Sequence, residues 1–254
     1  MSILTDRIRQ ANAQGRKAVI PYVPAGFPTK ERFWKEIAAL DAGGADIIEI
    51  GVPFSDPVAD GPVVEQAALD CLAQGVTLAW ILDELAARKG QFKAGLVLMG
   101  YYNSFFQYGF ERLAETGPAG GVAGLIIPDM PLEEMGHARD ALAGSGIEII
   151  CLIGLNTPAD RLAQYGEIAR GFVYFVSVLG TTGVRESLPA EVLSKLDEVR
   201  PHFSVPIALG FGISRPEQVE KFGDRIDAVV IGSALVKHLR AGEGAKSFME
   251  GWRS

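Results

Sequence analysis

Eight short apolar runs, rich in β-branched residues, punctuate the chain, and they constrain its fold more than any other feature. They occupy residues 18–21, 47–50, 95–99, 124–127, 148–153, 172–177, 206–209 and 228–231. Several are apolar nearly throughout rather than alternating, as expected of parallel strands covered on both faces. Between them lie stretches with helical spacing. In residues 132–145, Met135, Ala138 and Leu142 recur every three or four positions, opposite Glu133, Glu134, Arg139 and Asp140. Asn156-Thr157-Pro158, Ser187-Leu188-Pro189 and Ser214-Arg215-Pro216-Glu217 each read as the start of a helix, with a capping residue and an early proline. One further helix is expected over about 2–12, ahead of the first strand. Strand starts recur about every 30 residues, the size of one βα unit. Eight such units close into a (β/α)8 barrel. A doubly wound open sheet is the rival. It is disfavoured by the count of eight and by the absence of a Gly-x-Gly-x-x-Gly turn after an early strand. No linker or composition break divides the chain, so residues 1–254 are expected to form a single barrel domain with the additional N-terminal helix and an extended loop after strand 2.

Composition narrows the class of function. The net charge of -7 argues against a general nucleic-acid surface. The longest uncharged stretch, 94–110, contains Asn103, Ser104 and Gln107, so no membrane span is expected. The first residues show no secretory signal. Cys71 and Cys151 suggest neither a disulfide framework nor zinc spacing, and they fit small buried groups in a reducing, cytoplasmic compartment. His137, His202 and His238 lie far apart, which argues against a multi-histidine metal site. The 30 glycines, about 12% against a usual ~7%, have no collagen period and call for another explanation.

One spacing is abnormal. The second and third strands start about 48 residues apart, and the extra length includes Val52-Pro-Phe-Ser-Asp-Pro-Val-Ala-Asp-Gly-Pro62. A long loop directly after a barrel strand sits at the face where barrels do chemistry. Just before it, Glu49 interrupts the apolar strand Ile47-Ile48-Glu49-Ile50. Alternation turns Ile48 and Ile50 toward the helices and Glu49 toward the barrel interior. There it is either an acid/base with a raised pKa or a structural carboxylate accepting hydrogen bonds. Asp56 and Asp60 of the loop are turn-capping residues or a second carboxyl on the same cavity. Late in the chain, Gly180-Thr-Thr-Gly183, Gly210-Phe-Gly-Ile-Ser214 and Gly232-Ser233 follow strands six, seven and eight. Glycine loops and a helix N-terminus at these positions form the recurrent phosphate site of barrels, so a small phosphorylated metabolite is the expected ligand. Tyr22, Tyr101, Tyr102, Tyr174 and Phe211 lie in or just after strands, as core residues or as the wall of an apolar pocket.

With these residues the chain resembles the tryptophan synthase α subunit family. The segment Ile48 to Pro62 is similar to the family's signature. Leu125-Ile-Ile-Pro-Asp129-Met-Pro131, Gly180-Thr-Thr-Gly-Val184, Gly210-Phe-Gly-Ile-Ser214 and Gly232-Ser-Ala-Leu-Val-Lys237 follow in the family's order. The resemblance covers essentially the whole chain. It implies retro-aldol cleavage of indole-3-glycerol phosphate to indole and glyceraldehyde 3-phosphate, in L-tryptophan biosynthesis. By resemblance Glu49 is the acid/base and Asp60 stabilises positive charge at the indole N–H. The amides of Gly183, Gly212, Gly232 and Ser233 hold the phosphate. Tyr22, Tyr174 and Phe211 line the indole pocket, and Thr182 belongs to a loop that closes over it. The chain itself needs no cofactor. The implied partner is a β subunit carrying pyridoxal phosphate, in a heterotetramer of two α and two β subunits, with residues 53–60 and 103–107 as contact surfaces. Pro24, Gly100, Ser104, Gly154-Leu155 and Leu179 depart from the family pattern, and none of them is expected to touch the two carboxylates. A different phosphate-sugar barrel, such as an epimerase, would leave Asp56 and Asp60 unexplained.

Overall fold

A computed structural model describes residues 2–177, 190–210 and 212–252. Eight parallel strands are hydrogen-bonded in sequence order into a closed barrel. They are β1 (Ala18–Pro24), β2 (Ile47–Gly51), β3 (Gly95–Met99), β4 (Val122–Ile126), β5 (Glu148–Gly154), β6 (Val173–Val176), β7 (Ile207–Gly210) and β8 (Ala228–Ile231). Closure is made by β1 on β8, with Ala18, Val19, Ile20 and Pro21 opposite Ala228, Val229, Val230 and Ile231.

Period-2 alternation separates two apolar layers. Ile48, Ile50, Leu96, Leu98, Leu125 and Leu209 pack outward against the helices. Ile20, Ile47, Val97, Ile126, Ile150, Ala208 and Val230 fill the barrel interior. The small Ala208 and Ala228 share this layer with the larger side chains, in keeping with the side-chain-filled interior of an eight-stranded barrel.

The interior is plugged at its N-terminal end by α1 (Ile3–Ala13), close to the expected span. Leu4, Ile8 and Ala11 enter the interior layer. Gly95 and Gly124 leave room for Leu4: a Cβ on either would lie 2.8 Å from a Leu4 methyl. Thr5 Oγ1 donates to the Gly171 carbonyl at 2.6 Å, and Ser2 Oγ donates to Glu148. A buried hydroxyl bonded in this way fixes the helix against rotation.

The outer helices are α2 (Lys30–Ala42), α3 (Pro62–Ala73), α4 (Leu78–Ala87), α5 (Tyr102–Tyr108), α6 (Phe110–Thr116), α7 (Met135–Ala141), α8 (Ala159–Ile168), α9 (Ala190–Val199), α10 (Ser233–Arg240) and α11 (Ala245–Glu250). Five of the sequence expectations need amending. The long β2–β3 connection holds two helices, α3 and α4, after its loop, and the β3–β4 connection is split into α5 and α6 at Gly109, whose φ is +92°. The helix expected over 132–145 is shorter: a 3-10 turn, Leu132–Glu134, leads into α7, and the chain turns out at Gly144 and Gly146. Among the described residues no α-helix lies between β7 and β8. Ser214-Arg215-Pro216-Glu217 opens two 3-10 turns, Pro216–Gln218 and Glu220–Arg225, interrupted where Gly223 takes φ 52° and ψ -134°. There the Gln218 side chain accepts from the Ser214 and Arg215 amides, closing the turn locally. The helix start at Ser187-Leu188-Pro189 lies outside the described residues, and α9 follows from Ala190. Thr157 does not cap α8. Its hydroxyl accepts from the Gly154 amide at 2.9 Å, at the end of β5.

Candidate active site

Glu49 is the central residue of β2 and points into the barrel, as alternation requires. It is fully buried, and neither carboxyl oxygen has a hydrogen-bond partner among the described residues. Its Cα partners in the neighbouring strands are Tyr22 of β1 and Val97 of β3, so no cation stands beside it in the ladder. Burial, and secondarily the charge of Asp60, raises its pKa to about 8. At neutral pH this side chain is mainly the uncharged acid.

Asp60 is presented by the loop over 52–61, immediately before Gly61, the N-cap of α3. It is partly buried. Burial raises its pKa to about 6, against the lowering effect of a hydrogen bond from Tyr101. The Tyr101 hydroxyl donates to Asp60 Oδ2 at 3.2 Å and accepts from the Ala59 amide at 2.9 Å. Asp56 is separated from this arrangement. It is exposed and accepts from its neighbour Ser55 at 2.5 Å, which is turn chemistry.

Both carboxyls line a cavity of about 380 Å³ at the C-terminal mouth of the barrel. Its apolar wall includes Tyr22, Tyr174, Met99, Val64, Ile213 and Val230. Two glycines seat the two tyrosines. A Cβ on Gly51 would come within 2.4 Å of the Tyr22 hydroxyl, and one on Gly210 within 2.2 Å of the Tyr174 ring. At Gly210, therefore, the glycine yields space to a ring instead of exposing an amide. Besides the carboxyls, the polar part of the lining is Gly212, Ser214, Gly232, Ser233 and Lys237. Gly232 is the N-cap of α10, where no side chain makes a capping bond. The helix start therefore directs amides and its positive dipole end at the cavity.

The sequence-derived site thus comes together in part. Glu49, Asp60, Tyr22, Tyr174, Gly212, Gly232 and Ser233 share one cavity. Gly183, Thr182, Phe211 and Leu179 lie outside the described residues. Tyr102 does not wall the cavity: it stacks on Phe106 at 5.6 Å, and its amide donates to Asp129. Lys237 and the Tyr101–Asp60 bond were not anticipated as parts of the site. Lys237 carried a faint signal, four residues after Ser233 on a helix that starts at the cavity. Gly100, a departure from the family pattern, is imposed by packing, since a Cβ there would lie 2.9 Å from Val52.

A larger, more open depression of about 900 Å³ lies near the opposite end of the barrel. Most of its charged groups are paired, Lys17 with Asp224 and Arg200 with Asp227 within the lining and Arg16 with Asp46 beside it, and none of the candidate residues is there. Among the described residues no cluster of three or more His, Cys, Asp or Glu could hold a metal ion. Burial pushes the thiols of Cys71 and Cys151 up to about 12 and about 11, away from nucleophilic use. Among the described residues no helix is long and apolar enough to cross a membrane.

The family model described as tryptophan synthase alpha chain matches residues 8–251. The tryptophan synthase alpha chain of Solidesulfovibrio magneticus is 64% identical over 252 residues, covering 99% of this chain and 98% of the relative. That of Nitratidesulfovibrio vulgaris is 59% identical over 251 residues, covering 99% and 98%. Among solved structures, the alpha chain from Legionella pneumophila superposes with a TM-score of 0.88 at 27% identity, over 100% of this chain and 96% of that one. A chain of the tryptophan synthase complex from Pyrococcus furiosus gives 0.83 at 31% identity, over 92% and 97%.

Proposed function

The chain belongs to the tryptophan synthase alpha chain family, and from that premise we propose that Glu49 and Asp60 perform its carbon–carbon bond cleavage in the cavity just described. The reaction is the retro-aldol conversion of indole-3-glycerol phosphate to indole and glyceraldehyde 3-phosphate, a step of L-tryptophan biosynthesis. Its difficulty is that indole must leave as a carbon nucleophile. Protonation at ring carbon C3 converts the ring into an iminium, which accepts the electrons of the breaking bond.

One observation carries the assignment: Glu49 is a buried carboxyl with no hydrogen-bond partner among the described residues, at the wall of an apolar cavity. Neutral at pH 7, it gives its proton to C3. As carboxylate it then takes the proton of the hydroxyl on the adjoining side-chain carbon. The carbon–carbon bond breaks, the aldehyde forms, the bond's electrons restore the indole, and Glu49 is again an acid. Asp60, whose pKa lies lower, is the ionised partner that offsets positive charge at the indole nitrogen. Tyr22, Tyr174 and Phe211 hold the ring. The phosphate lies against Gly212, Gly232 and Ser233; the resemblance adds Gly183 to the cradle and Thr182 to a closing loop, and both lie outside the described residues. At a net charge of -7 the overall field repels a phosphate, so amides and the α10 dipole must hold it locally.

This chemistry uses no cofactor, and pyridoxal phosphate belongs to the β subunit that receives the indole. The whole chain, residues 1–254, acts as one barrel domain in the cytoplasm, within a heterotetramer of two α and two β subunits. The crystallised Pyrococcus furiosus relative is a tryptophan synthase complex. Two exposed apolar residues in the expected contact segments favour such a surface: Val58 is 84% and Phe106 54% exposed. Release of indole from indole-3-glycerol phosphate, measured with and without a β subunit, tests the reading. Turnover that rises when the β subunit is added supports it. Ligand binding without turnover in both cases overturns it.

A further inference from the structure

The loop over 52–61 carries Asp60 but has little structure of its own. Among the described residues, the hydrogen bonds from residues 53–60 to the rest of the chain are the two made by the Tyr101 hydroxyl. The Tyr101 ring also stacks on Phe54 of the same loop, with centroids 5.0 Å apart and planes at 23°. Tyr101 is itself nearly buried, at the turn between β3 and α5. One side chain therefore fastens the loop to the barrel at Phe54, Ala59 and Asp60.

The direction of the bonds is fixed by chemistry. The Ala59 amide can only donate, so it occupies a lone pair of the phenol. The single phenolic proton then goes to Asp60 Oδ2. This favours the carboxylate form of Asp60 and occupies one of its two oxygens. Asp60 lines the cavity, and its other oxygen accepts no hydrogen bond among the described residues. We propose that Tyr101 is a positioning residue for the cleavage: oriented by the Ala59 amide, its hydroxyl holds one oxygen of Asp60 so that the other meets the indole N–H. This rests on the reading of Asp60 given above.

The titratable groups around this pair are Glu49 on β2, Glu65 on α3, Tyr22 on β1, Tyr174 on β6, Lys237 on α10 and, on the Tyr101 side, Asp129. The negative charge of Glu65 makes Asp60 harder to ionise, and the Tyr101 bond works against it.

The test is Tyr101→Phe in the full α chain with its β subunit, since Phe keeps the ring and its stacking on Phe54. Loss of one charge-assisted bond is expected to lower kcat roughly 10- to 100-fold. The KM for indole-3-glycerol phosphate should change less than kcat, and the acid limb of the pH–rate profile should move to higher pH. Placing 3-fluorotyrosine at position 101 strengthens the donor without removing it and should move that limb to lower pH. Combining Tyr101→Phe with Asp60→Asn should cost no more than Asp60→Asn alone. An unchanged acid limb in both position-101 proteins, or an equal loss from Tyr101→Phe with and without Asp60, overturns the proposal. Full activity of Asp60→Asn would instead overturn the reading of Asp60 itself. Should Tyr101→Phe fail to fold, the fluorinated protein decides alone: a limb moved to lower pH supports the proposal, and an unmoved limb overturns it.

Discussion

Tyr22 and Glu49 are Cα partners across the β1–β2 ladder, and both line the same cavity. Tyr22 rests against Gly51, with its hydroxyl where a Gly51 Cβ would be, and Glu49 is left without a hydrogen-bond partner among the described residues. A carboxyl in that state is poised to exchange a proton with a substrate rather than with the protein. Glu49→Gln should lower indole release by at least ~10²-fold, the lower range for loss of a general acid–base group. Thermal unfolding should show the variant folded and no less stable, because a neutral amide replaces a group that burial penalises when charged.

The pH dependence of stability follows from the same two groups. Glu49 is raised from 4.5 to about 8 and Asp60 from 3.8 to about 6. The folded chain holds these protons where the unfolded chain has lost them. Their contribution is full below the unfolded values. It is lost as pH rises from there through about 6 for Asp60 and about 8 for Glu49. The melting temperature of the wild type should therefore drop between pH 5 and pH 8.5, and that of Glu49→Gln should drop less. Parallel curves would contradict the burial of a neutral Glu49.

Activity should follow a bell. Asp60 has to be ionised and Glu49 has to begin as the acid, so kcat/KM should fall below about pH 6 and above about pH 8. In Glu49→Gln the alkaline limb should be missing from the residual rate. A profile flat to pH 9.5 in the wild type would exclude Glu49 as the proton donor.

Gly210 and Tyr174 are matched in shape. Gly210→Ala places a methyl 2.2 Å from the Tyr174 ring, and the ring must leave its seat in the cavity wall. Overpacking of this kind costs about 1–3 kcal/mol. Both melting temperature and KM should suffer, and the displaced ring should be visible in a crystal structure of the variant.

Ser233 separates binding from stability. An aspartate at the first position of α10 suits the helix dipole, so Ser233→Asp should leave the melting temperature unchanged or slightly higher. The same charge faces the phosphate. KM for indole-3-glycerol phosphate should rise about tenfold or more, a loss of ~1.4 kcal/mol. Calorimetric titration with glycerol 3-phosphate measures the affinity directly.

The fold was largely legible from the chain because its cause is local and repeated. A run that reads apolar on both faces, followed by a helical stretch, eight times over, leaves few arrangements other than a closed parallel barrel. Where the pattern broke, the cause was backbone geometry that side chains do not announce. Gly223 interrupts the helix whose start is written in Ser214-Arg215-Pro216-Glu217, and Gly109 divides α5 from α6.

By itself the sequence determined that Glu49 points inward, because the strand period is two and its neighbours Ile48 and Ile50 must face the helices. It also determined that a long loop and a glycine-opened helix lie at the mouth. Residue pattern alone left Asp56 and Asp60 alike, and the family resemblance singled out Asp60; only tertiary structure shows that Asp60, and not Asp56, lines the cavity. Asp56 and Asp60 have the same turn chemistry in the sequence; in the folded chain one is exposed and the other is held by Tyr101, 41 residues away. The same holds for the glycines. Gly210 reads as part of a phosphate loop, yet its lack of a side chain makes room for Tyr174, 36 positions earlier. Direction along a strand is set by residues one and two places apart. Contact across the mouth of a barrel is set by closure, which brings β1, β2, β3, β6 and β8 to one cavity.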